Sequence, residues 1–174
     1  ARPRLLAPAA AIYGTVAAHR LRSAGRRANV PVICIGNPTL GGAGKTPLAL
    51  TVAAKLTAAG KRPVFLSRGY GGRLAGPLRV DAQQHGSVDV GDEPLLLARS
   101  APAIIAGNRF DGALAAIDAG ASVIVMDDGF QNPSLVKDVS LLVVDARRGV
   151  GNGKVFPAGP LRAPLADQLA RADA

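Results

Sequence analysis

The stretch Thr39-Leu-Gly-Gly-Ala-Gly-Lys-Thr46 decides the fold, because a predicted strand precedes it and a predicted helix follows it. The apolar run Val30–Ile35 is typical of a buried strand, and Leu48–Ala59 has the spacing of a helix with Pro47 in its first turn. A glycine-rich loop in this position lets backbone N–H groups point into a concavity the size of a phosphate. The stretch therefore predicts a nucleotide-binding loop.

Each polar residue of this loop has an expected role. Lys45 is predicted to reach the β- and γ-phosphate oxygens, and the Thr46 hydroxyl to join the shell of Mg²⁺. Thr39 replaces the first glycine of the usual P-loop pattern, so an ordinary glycine-rich turn is the alternative. The strand–loop–helix context favours nucleotide binding. The predicted nucleotide contacts are Thr39, Gly41, Gly42, Ala43, Gly44, Lys45 and Thr46.

Short apolar runs alternate with helical stretches along the rest of the chain. Further strands are predicted at Pro63–Leu66, Ala103–Ile105, Ser122–Met126 and Leu141–Val144, and further helices at Pro94–Arg99, Phe110–Ala119 and Leu165–Arg171. This alternation predicts an α/β fold of the P-loop NTPase kind, with a mostly parallel sheet flanked by helices. Ligands on such a sheet bind beyond the carboxyl ends of the strands.

Acidic residues mark two further candidate positions at that edge. Asp127 and Asp128 end an apolar run, as carboxylates that hold Mg²⁺ do, although solvated aspartates also end strands; the sequence does not decide which one binds directly. Asp92 either caps the helix that follows it or orients and deprotonates an acceptor hydroxyl. Both interpretations of Asp92 stay open on the residues alone.

Two arginines in glycine- and proline-rich loops are candidate anion contacts. Arg68 lies in Ser67-Arg-Gly-Tyr-Gly-Gly72 after a predicted strand, and Arg162 ends Pro157-Ala-Gly-Pro-Leu-Arg162. The alternative for both is an exposed loop arginine without a ligand.

The basic charge is concentrated in the first half of the chain. Residues 1–80 hold thirteen Lys and Arg and no acidic residue, so their surface attracts anions. Residues 1–28 are predicted to form a basic, apolar helical segment, separate from a nucleotide-binding domain at 29–174. Leu5–Ala18 is shorter than the roughly 20 apolar residues that span a bilayer, so this helix lies on a membrane surface or docks on the domain. The single cysteine, Cys34, is predicted to be a buried core residue.

Several motifs occur together and in order: GNPTLGGAGKTP, SRGYGG, VGDEPLLLA, DDGFQN, VVDARRGVGNG and FPAGPLR. The set resembles the tetraacyldisaccharide 4′-kinase family of P-loop NTPases along nearly the whole chain, and VGDEP followed by DDGFQ and PAGPLR is its specific part. The resemblance implies transfer of the ATP γ-phosphate to the 4′-hydroxyl of a tetraacylated glucosamine disaccharide 1-phosphate. The product would be lipid IVA, a precursor of lipid A.

The resemblance also implies roles for individual residues. Lys45 and Thr46 would hold ATP and Mg²⁺, and Asp127 and Asp128 would belong to the metal and catalytic site. The implied catalytic residues are Asp92 as the base, Lys45 and Asp128, and the candidate substrate contacts are Arg68, Gln131 and Arg162. The expected partners are the lipid substrate and the anionic cytoplasmic face of the inner membrane, with no nucleic acid and no obligate protein partner.

Three features depart from the family pattern. Asn132 stands where His often follows DDGFQ, and Ala163 stands where Glu often follows PLR. Asn can form hydrogen bonds but cannot exchange a proton near neutral pH. The family also looks longer, with a second lobe whose histidine is expected to pair with the catalytic Asp. Neither His19 nor His85 lies in a matching motif.

Two other function classes compete with a lipid kinase. Another P-loop enzyme is the first, but the Asn/Thr-Lys-x-Asp loop that reads guanine and the Cys/His relay of a metallochaperone are missing from the sequence. A non-catalytic nucleotide-, anion- or nucleic-acid-binding module is the second. Nucleic-acid readers often interleave aromatic and basic residues, whereas only Tyr13, Phe65 and Tyr70 precede Asp81. The basic residues cluster instead around the first helix and the phosphate loops, which favours the kinase.

Overall fold

The computed structural model describes residues 5–174. Its helices are α1 (Ala7–Arg22), α2 (Lys45–Ala58), α3 (Ser87–Val90), α4 (Asp92–Ala98), α5 (Arg109–Asp118) and α6 (Leu165–Leu169). Its strands are β1 (Val32–Gly36), β2 (Pro63–Ser67), β3 (Leu78–Arg79), β4 (Ala103–Ile105), β5 (Val123–Asp127) and β6 (Val139–Leu142).

The strands form one sheet in the order β3-β4-β2-β5-β1-β6, in which only the edge strand β3 is antiparallel. Successive residues of a strand face opposite sides, so each central strand feeds two apolar clusters. In β1, Cys34 lies in the cluster on one face and Ile35 in the cluster on the other. The predicted mostly parallel α/β fold is confirmed. Cys34 is buried, as predicted, and this burial raises the pKa of its thiol to about 12.

Several boundaries of strands and helices differ from the predictions. Hydrogen-bonded pairing with a neighbouring strand, and not the apolar run alone, sets where a strand begins. Strand β6 begins at Val139, two residues before the predicted apolar run, because Val139 pairs with Ile33 of β1. The short elements β3 and α3 were not predicted. Of the two interpretations left open for Asp92, the structure does not support the helix cap: α4 begins at Asp92, and Gly91 occupies the N-cap position. The last helix ends at Leu169, two residues earlier than predicted.

Helix α1 has one packed face and one exposed apolar face. Ala10, Gly14, Ala18 and Leu21 are buried against the domain, and Leu21 shares an apolar cluster with Val32 of β1. The exposed apolar side chains are Leu5, Leu6, Ile12, Tyr13 and Val16. Arg2 and Arg4, which contribute to the predicted basic segment, lie outside the described residues. The boundary at residue 28 stays a prediction.

Within residues 5–174, no helix has the length and apolar character needed to cross a lipid bilayer.

Candidate active site

Sheet topology brings the predicted nucleotide-binding loop at residues 39–46, called the phosphate loop, close to the paired aspartates Asp127 and Asp128. Strands β1 and β5 are parallel neighbours, and Ile35 pairs with Asp127. The loop that follows β1 and the turn that follows β5 therefore leave the sheet side by side. Because parallel strands share one carboxyl edge, chemistry that the chain separates by about eighty residues converges there.

Asn37, which sequence reasoning did not single out, shapes the phosphate loop. Its buried side-chain Nδ2 donates to the carbonyl oxygens of Thr39 at 2.7 Å and Gly41 at 3.0 Å. The loop then turns through Gly41 (φ +100°) and Gly44 (φ +89°), conformations that favour glycine, and Gly44 is the N-cap of α2. In the sequence, Asn37 could have been identified as a polar residue directly after a buried strand.

Thr46 and Asp127 are the two predicted metal ligands that the fold places in contact. The Thr46 hydroxyl donates to Asp127 Oδ2 at 3.1 Å, and Asp127 is almost fully buried. The second carboxylate oxygen, Oδ1, is buried without a hydrogen-bond partner among the described residues. Burial raises the pKa of Asp127 to about 6 and nearby Glu93 adds to the rise, while the Thr46 hydrogen bond and Lys45 oppose it. The lone pairs of Oδ1 are therefore available to a cation.

Asp128 lies in a different backbone region from its neighbour. Its φ is +52°, the left-handed region, and its amide donates to Ile35 O at 3.0 Å. The carboxylate sits between two cations: Lys45 Nζ is 3.8 Å from Oδ1, and Arg162 Nη2 is 3.3 Å from Oδ2. Asp128 therefore lies between Lys45 and Arg162, and its buried Oδ1 has no hydrogen-bond partner among the described residues.

The loop that carries Arg162 runs alongside the phosphate loop. Arg162 Nε donates to Thr39 O at 3.0 Å, and its backbone N donates to Pro38 O at 2.9 Å. Leu40 N in turn donates to Pro160 O at 2.8 Å. The structure thus places Arg162 at the predicted edge, next to the nucleotide loop.

Gln131 and the two departures lie close to this loop. Gln131 Nε2 donates to Asn37 O and to Gln168 Oε1, both at 3.2 Å. Asn132 Oδ1 accepts from the N and Oγ of Ser134, so Asn132 closes the turn after β5. Ala163 is fully buried in the same apolar cluster as Phe130, so the second departure fills core space rather than the ligand edge.

Asp92 and Arg68 stand on the same edge but outside the cluster around Lys45. Both are exposed, and within the described part of the chain neither forms a hydrogen bond or ion pair with the phosphate loop or with the paired aspartates. Gly91 (φ +88°, ψ 160°) lets Asp92 approach the loop that contains Arg68: a Cβ at Gly91 would lie 2.4 Å from Tyr70 O. The structure therefore brings together the loops that carry Asp92 and Arg68.

Arg109 is a buried cation at this edge that sequence reasoning missed. Its Nη1 donates to the carbonyl oxygens of Ala106 and Gly107, and its Nε is buried without a partner among residues 5–174. Burial lowers its pKa to about 10, and nearby Arg68 adds to the fall. In the sequence, Arg109 could have been identified by its position at the start of a helix, after β4 and the turn that follows it. A buried guanidinium paired only with carbonyls makes this edge attractive to anions.

A cavity of about 150 Å³ separates α1 from the phosphate loop. It is lined by Tyr13, Val16, Ala17, Arg20, Leu40, Gln131 and Arg162. Helix α1 contributes apolar side chains and Arg20 to its wall, and the opposite side is formed by Leu40, Gln131 and Arg162. The exposed face of α1 therefore lies next to the phosphate loop, with this cavity between them.

Comparison with known proteins agrees with this architecture. The family model described as tetraacyldisaccharide-1-P 4′-kinase matches residues 2–174. The tetraacyldisaccharide 4′-kinase of Rhodopseudomonas palustris strain BisB5 is 62% identical over 170 residues, which cover 98% of this chain and 50% of that protein. The enzyme of that name from Nitrobacter winogradskyi is 60% identical over 171 residues, 98% of this chain and 51% of that protein. The chain thus spans about half the length of the curated relatives it matches.

A crystal structure of LpxK from Aquifex aeolicus, described as an "apo" form in complex with ATP, has the same fold. It superposes with a TM-score of 0.84 at 29% sequence identity, covering 99% of this chain and 57% of that chain.

Proposed function

This chain belongs to the tetraacyldisaccharide-1-P 4′-kinase family, and on that premise we propose that it forms the nucleotide-binding part of a lipid kinase. The reaction is transfer of the γ-phosphate of ATP to the 4′-hydroxyl of a tetraacylated glucosamine disaccharide 1-phosphate. The product is lipid IVA. The observation that carries the proposal is the contact between Thr46 and buried Asp127 beside Lys45.

The residues around Asp127 fit a magnesium ion. Mg²⁺ is held in such sites by one or two carboxylates together with substrate phosphates, rather than by a cage of protein ligands. Consistently, no group of three or more His, Cys, Asp or Glu side chains converges within residues 5–174. Asp127 Oδ1, which is unpaired among the residues that the structure describes, and the Thr46 hydroxyl would hold the ion. When bound, Mg²⁺ supplies charge neutralisation on the β- and γ-phosphates.

Lys45 and the loop amides bind the phosphates of ATP in this proposal. The ammonium group lies 3.8 Å from Asp128 Oδ1, and Lys45 is the first residue of α2, so the N-terminus of that helix lies beside it. ATP binding by the related Aquifex aeolicus protein supports this assignment. Because phosphoryl transfer needs little covalent chemistry from a protein, positioning and charge stabilisation supply most of the rate.

Asp92 is the proposed base for the acceptor. It accepts the proton of the 4′-hydroxyl while the acceptor oxygen bonds to the γ-phosphorus and the bond from that phosphorus to the bridging oxygen of ADP breaks. Its carboxylate is exposed at the start of α4, which leaves it accessible to a sugar. Arg68, Gln131 and Arg162 are the proposed contacts with the substrate's polar groups.

The proposed substrate and α1 support a membrane location. The acyl chains of such a substrate would lie in a bilayer, and α1 exposes apolar side chains on one face and carries His19, Arg20 and Arg22 in its last turn. Apolar burial together with attraction to anionic lipid would hold such a helix at the cytoplasmic face of the inner membrane.

The test is transfer of labelled γ-phosphate from ATP to a tetraacyldisaccharide 1-phosphate in detergent micelles. Three proteins are compared: this chain, this chain continued with the second half of the Rhodopseudomonas palustris relative, and the extended protein with Lys45→Ala. We expect transfer by the extended protein and a loss of about 100-fold or more in the Lys45→Ala variant, the loss expected when one preorganised charge stabiliser is removed. Lys55→Ala, on the exposed side of the same helix, is the matched control.

If the extended protein binds ATP but transfers no phosphate to the tetraacyldisaccharide 1-phosphate, the proposed acceptor is wrong. Normal transfer by the Lys45→Ala variant would remove the nucleotide-site assignment itself.

A further inference from the structure

Gln168 is a fully buried polar residue on the short helix α6, and its whole amide group is hydrogen bonded. Its Nε2 donates to Ala163 O at 2.8 Å and to Pro38 O at 3.2 Å. Its Oε1 accepts from Gln131 Nε2 at 3.2 Å. A buried polar group on an apolar background is costly unless each of its atoms is paired, and here both donors and the acceptor are paired.

The three partners of Gln168 belong to three segments of the candidate site. Pro38 lies on the stem of the phosphate loop, Ala163 directly follows Arg162, and Gln131 lies in the turn after Asp127 and Asp128. The same segments are joined pairwise, because Arg162 N also donates to Pro38 O and Gln131 also donates to Asn37 O. Gln168 is the one side chain in the described part of the chain that hydrogen bonds to all three segments.

The helix that carries Gln168 contacts α1 through one ion pair. Asp167 of α6 lies 2.5 Å from Arg22, whose side chain is exposed, so this contact is weak. The position of the Gln168 amide therefore rests mainly on its own three hydrogen bonds. A side chain anchored in this way transmits its own position to the loops that it contacts.

We propose that Gln168 is a positioning residue that fixes the phosphate loop relative to Arg162 and Gln131, so that nucleotide affinity depends on it although it lies behind the phosphate site. The inference rests on the proposed function, because it assigns a role within that nucleotide site. Only a neutral amide donates twice and accepts once in this geometry. Glutamate would lose both donors. Methionine would match the volume while leaving Ala163 O without a partner among the described residues and Pro38 O with the Arg162 N–H alone.

The experiment measures the dissociation constant for ATP with Mg²⁺ by titration calorimetry, well below the thermal midpoint of every variant. We expect Gln168→Met to weaken ATP binding about tenfold or more, the effect of one or two lost buried hydrogen bonds. Leu169→Met, on the exposed next residue of α6, should stay within about twofold of the starting protein. Gln168→Asn retracts the amide by one methylene and should give an intermediate loss.

A double-mutant cycle separates positioning from a general loss of stability. Arg162→Ala is measured alone and combined with Gln168→Met. If Gln168 acts by placing Arg162 and the loop, the combined loss should be at least threefold smaller than the product of the two single losses. Affinities that multiply would indicate independent effects and would overturn the inference.

The outcomes distinguish this inference from the proposed function. Failure of the unchanged chain to bind ATP would contradict the nucleotide site as a whole. ATP binding by the unchanged chain together with equal binding by Gln168→Met would overturn the role of Gln168 alone. If Gln168→Met does not fold, Gln168→Asn decides by the same criterion: an affinity equal to that of the starting protein would reject the inference.

Discussion

Two adjacent aspartates at the end of β5 differ because their backbones differ. Asp127 is still part of the strand and points its carboxylate at Thr46, whereas Asp128 has a positive φ and lies between Lys45 and Arg162. Its unusual conformation is supported by the hydrogen bond from its amide to Ile35 O. The Asp127 carboxylate is therefore available to a cation, and the Asp128 carboxylate lies beside the cationic side chains of Lys45 and Arg162.

The Thr46 hydroxyl should matter only when Mg²⁺ is present. We predict that Thr46→Val weakens ATP binding in magnesium buffer about tenfold or more, because the proposed contact of the hydroxyl with the ion is lost. ATP binding in EDTA should change little. Titration calorimetry under both conditions checks this, with Thr51→Val as the control, since the Thr51 hydroxyl only bonds Pro47 O on the exposed side of α2. An equal loss in EDTA would contradict a metal role for Thr46.

At the scale of elements, the polar residues of the site lie in loops or at the ends of helices and strands, and close backbone contacts hold two of these segments together. The loop with Arg68 packs against the start of α4: Cβ atoms at Gly72 and Gly91 would lie 2.6 Å and 2.4 Å from carbonyl oxygens of the facing segment. Such contacts place the predicted base, Asp92, although its side chain forms no hydrogen bond with any residue of the described range 5–174.

Replacing Gly91 should therefore cost stability. Its φ of +88° and ψ of 160° lie in a region that is essentially restricted to glycine, and an added Cβ would clash with Tyr70 O. We predict that Gly91→Ala lowers the free energy of unfolding by about 2 kcal/mol or more.

Urea denaturation measures this change, with Gly107→Ala as the matched control. A Cβ at Gly107 meets nothing closer than Ala75 O at 3.9 Å, so its variant should lose much less stability. Equal stabilities of the two variants would show that the loop adapts without strain.

At the scale of the whole molecule, α1 and the phosphate edge meet at the cavity between Tyr13 and Arg162. The arrangement puts an exposed apolar helix face beside the site that is proposed to act on a lipid. Membrane attachment and catalysis would then use adjoining surfaces.

Binding to vesicles should depend on this face of α1. We predict that Ile12→Ser with Val16→Ser lowers cosedimentation with phosphatidylglycerol-containing vesicles about tenfold, because two exposed apolar side chains no longer enter the bilayer. Binding should also fall as salt rises, since screening weakens the attraction of the arginines to anionic lipid.

The matched control is Leu114→Ser, which removes a similarly exposed apolar side chain from α5 on another part of the domain. Equal losses for the two changes, or binding to neutral vesicles that salt does not affect, would contradict a role for α1.

The sequence by itself determined the class of fold, the phosphate loop and the paired aspartates, because these depend on local patterns. Apolar runs, helix spacing and a glycine-rich turn are readable over a few residues. The burial of Cys34 followed from the same pattern. The family resemblance rested on short motifs of this kind.

Only the tertiary structure decided which side chains meet. Asn37 and Gln168 lie 131 residues apart in sequence, yet both hold the stem of the phosphate loop. The start of β6, the cap of α4, the burial of Arg109 and the contact of Asp127 rather than Asp128 with Thr46 likewise depend on pairing and packing across the sheet. Such contacts come from distant segments, and each carries too little energy and too little local pattern to be seen in one stretch of sequence.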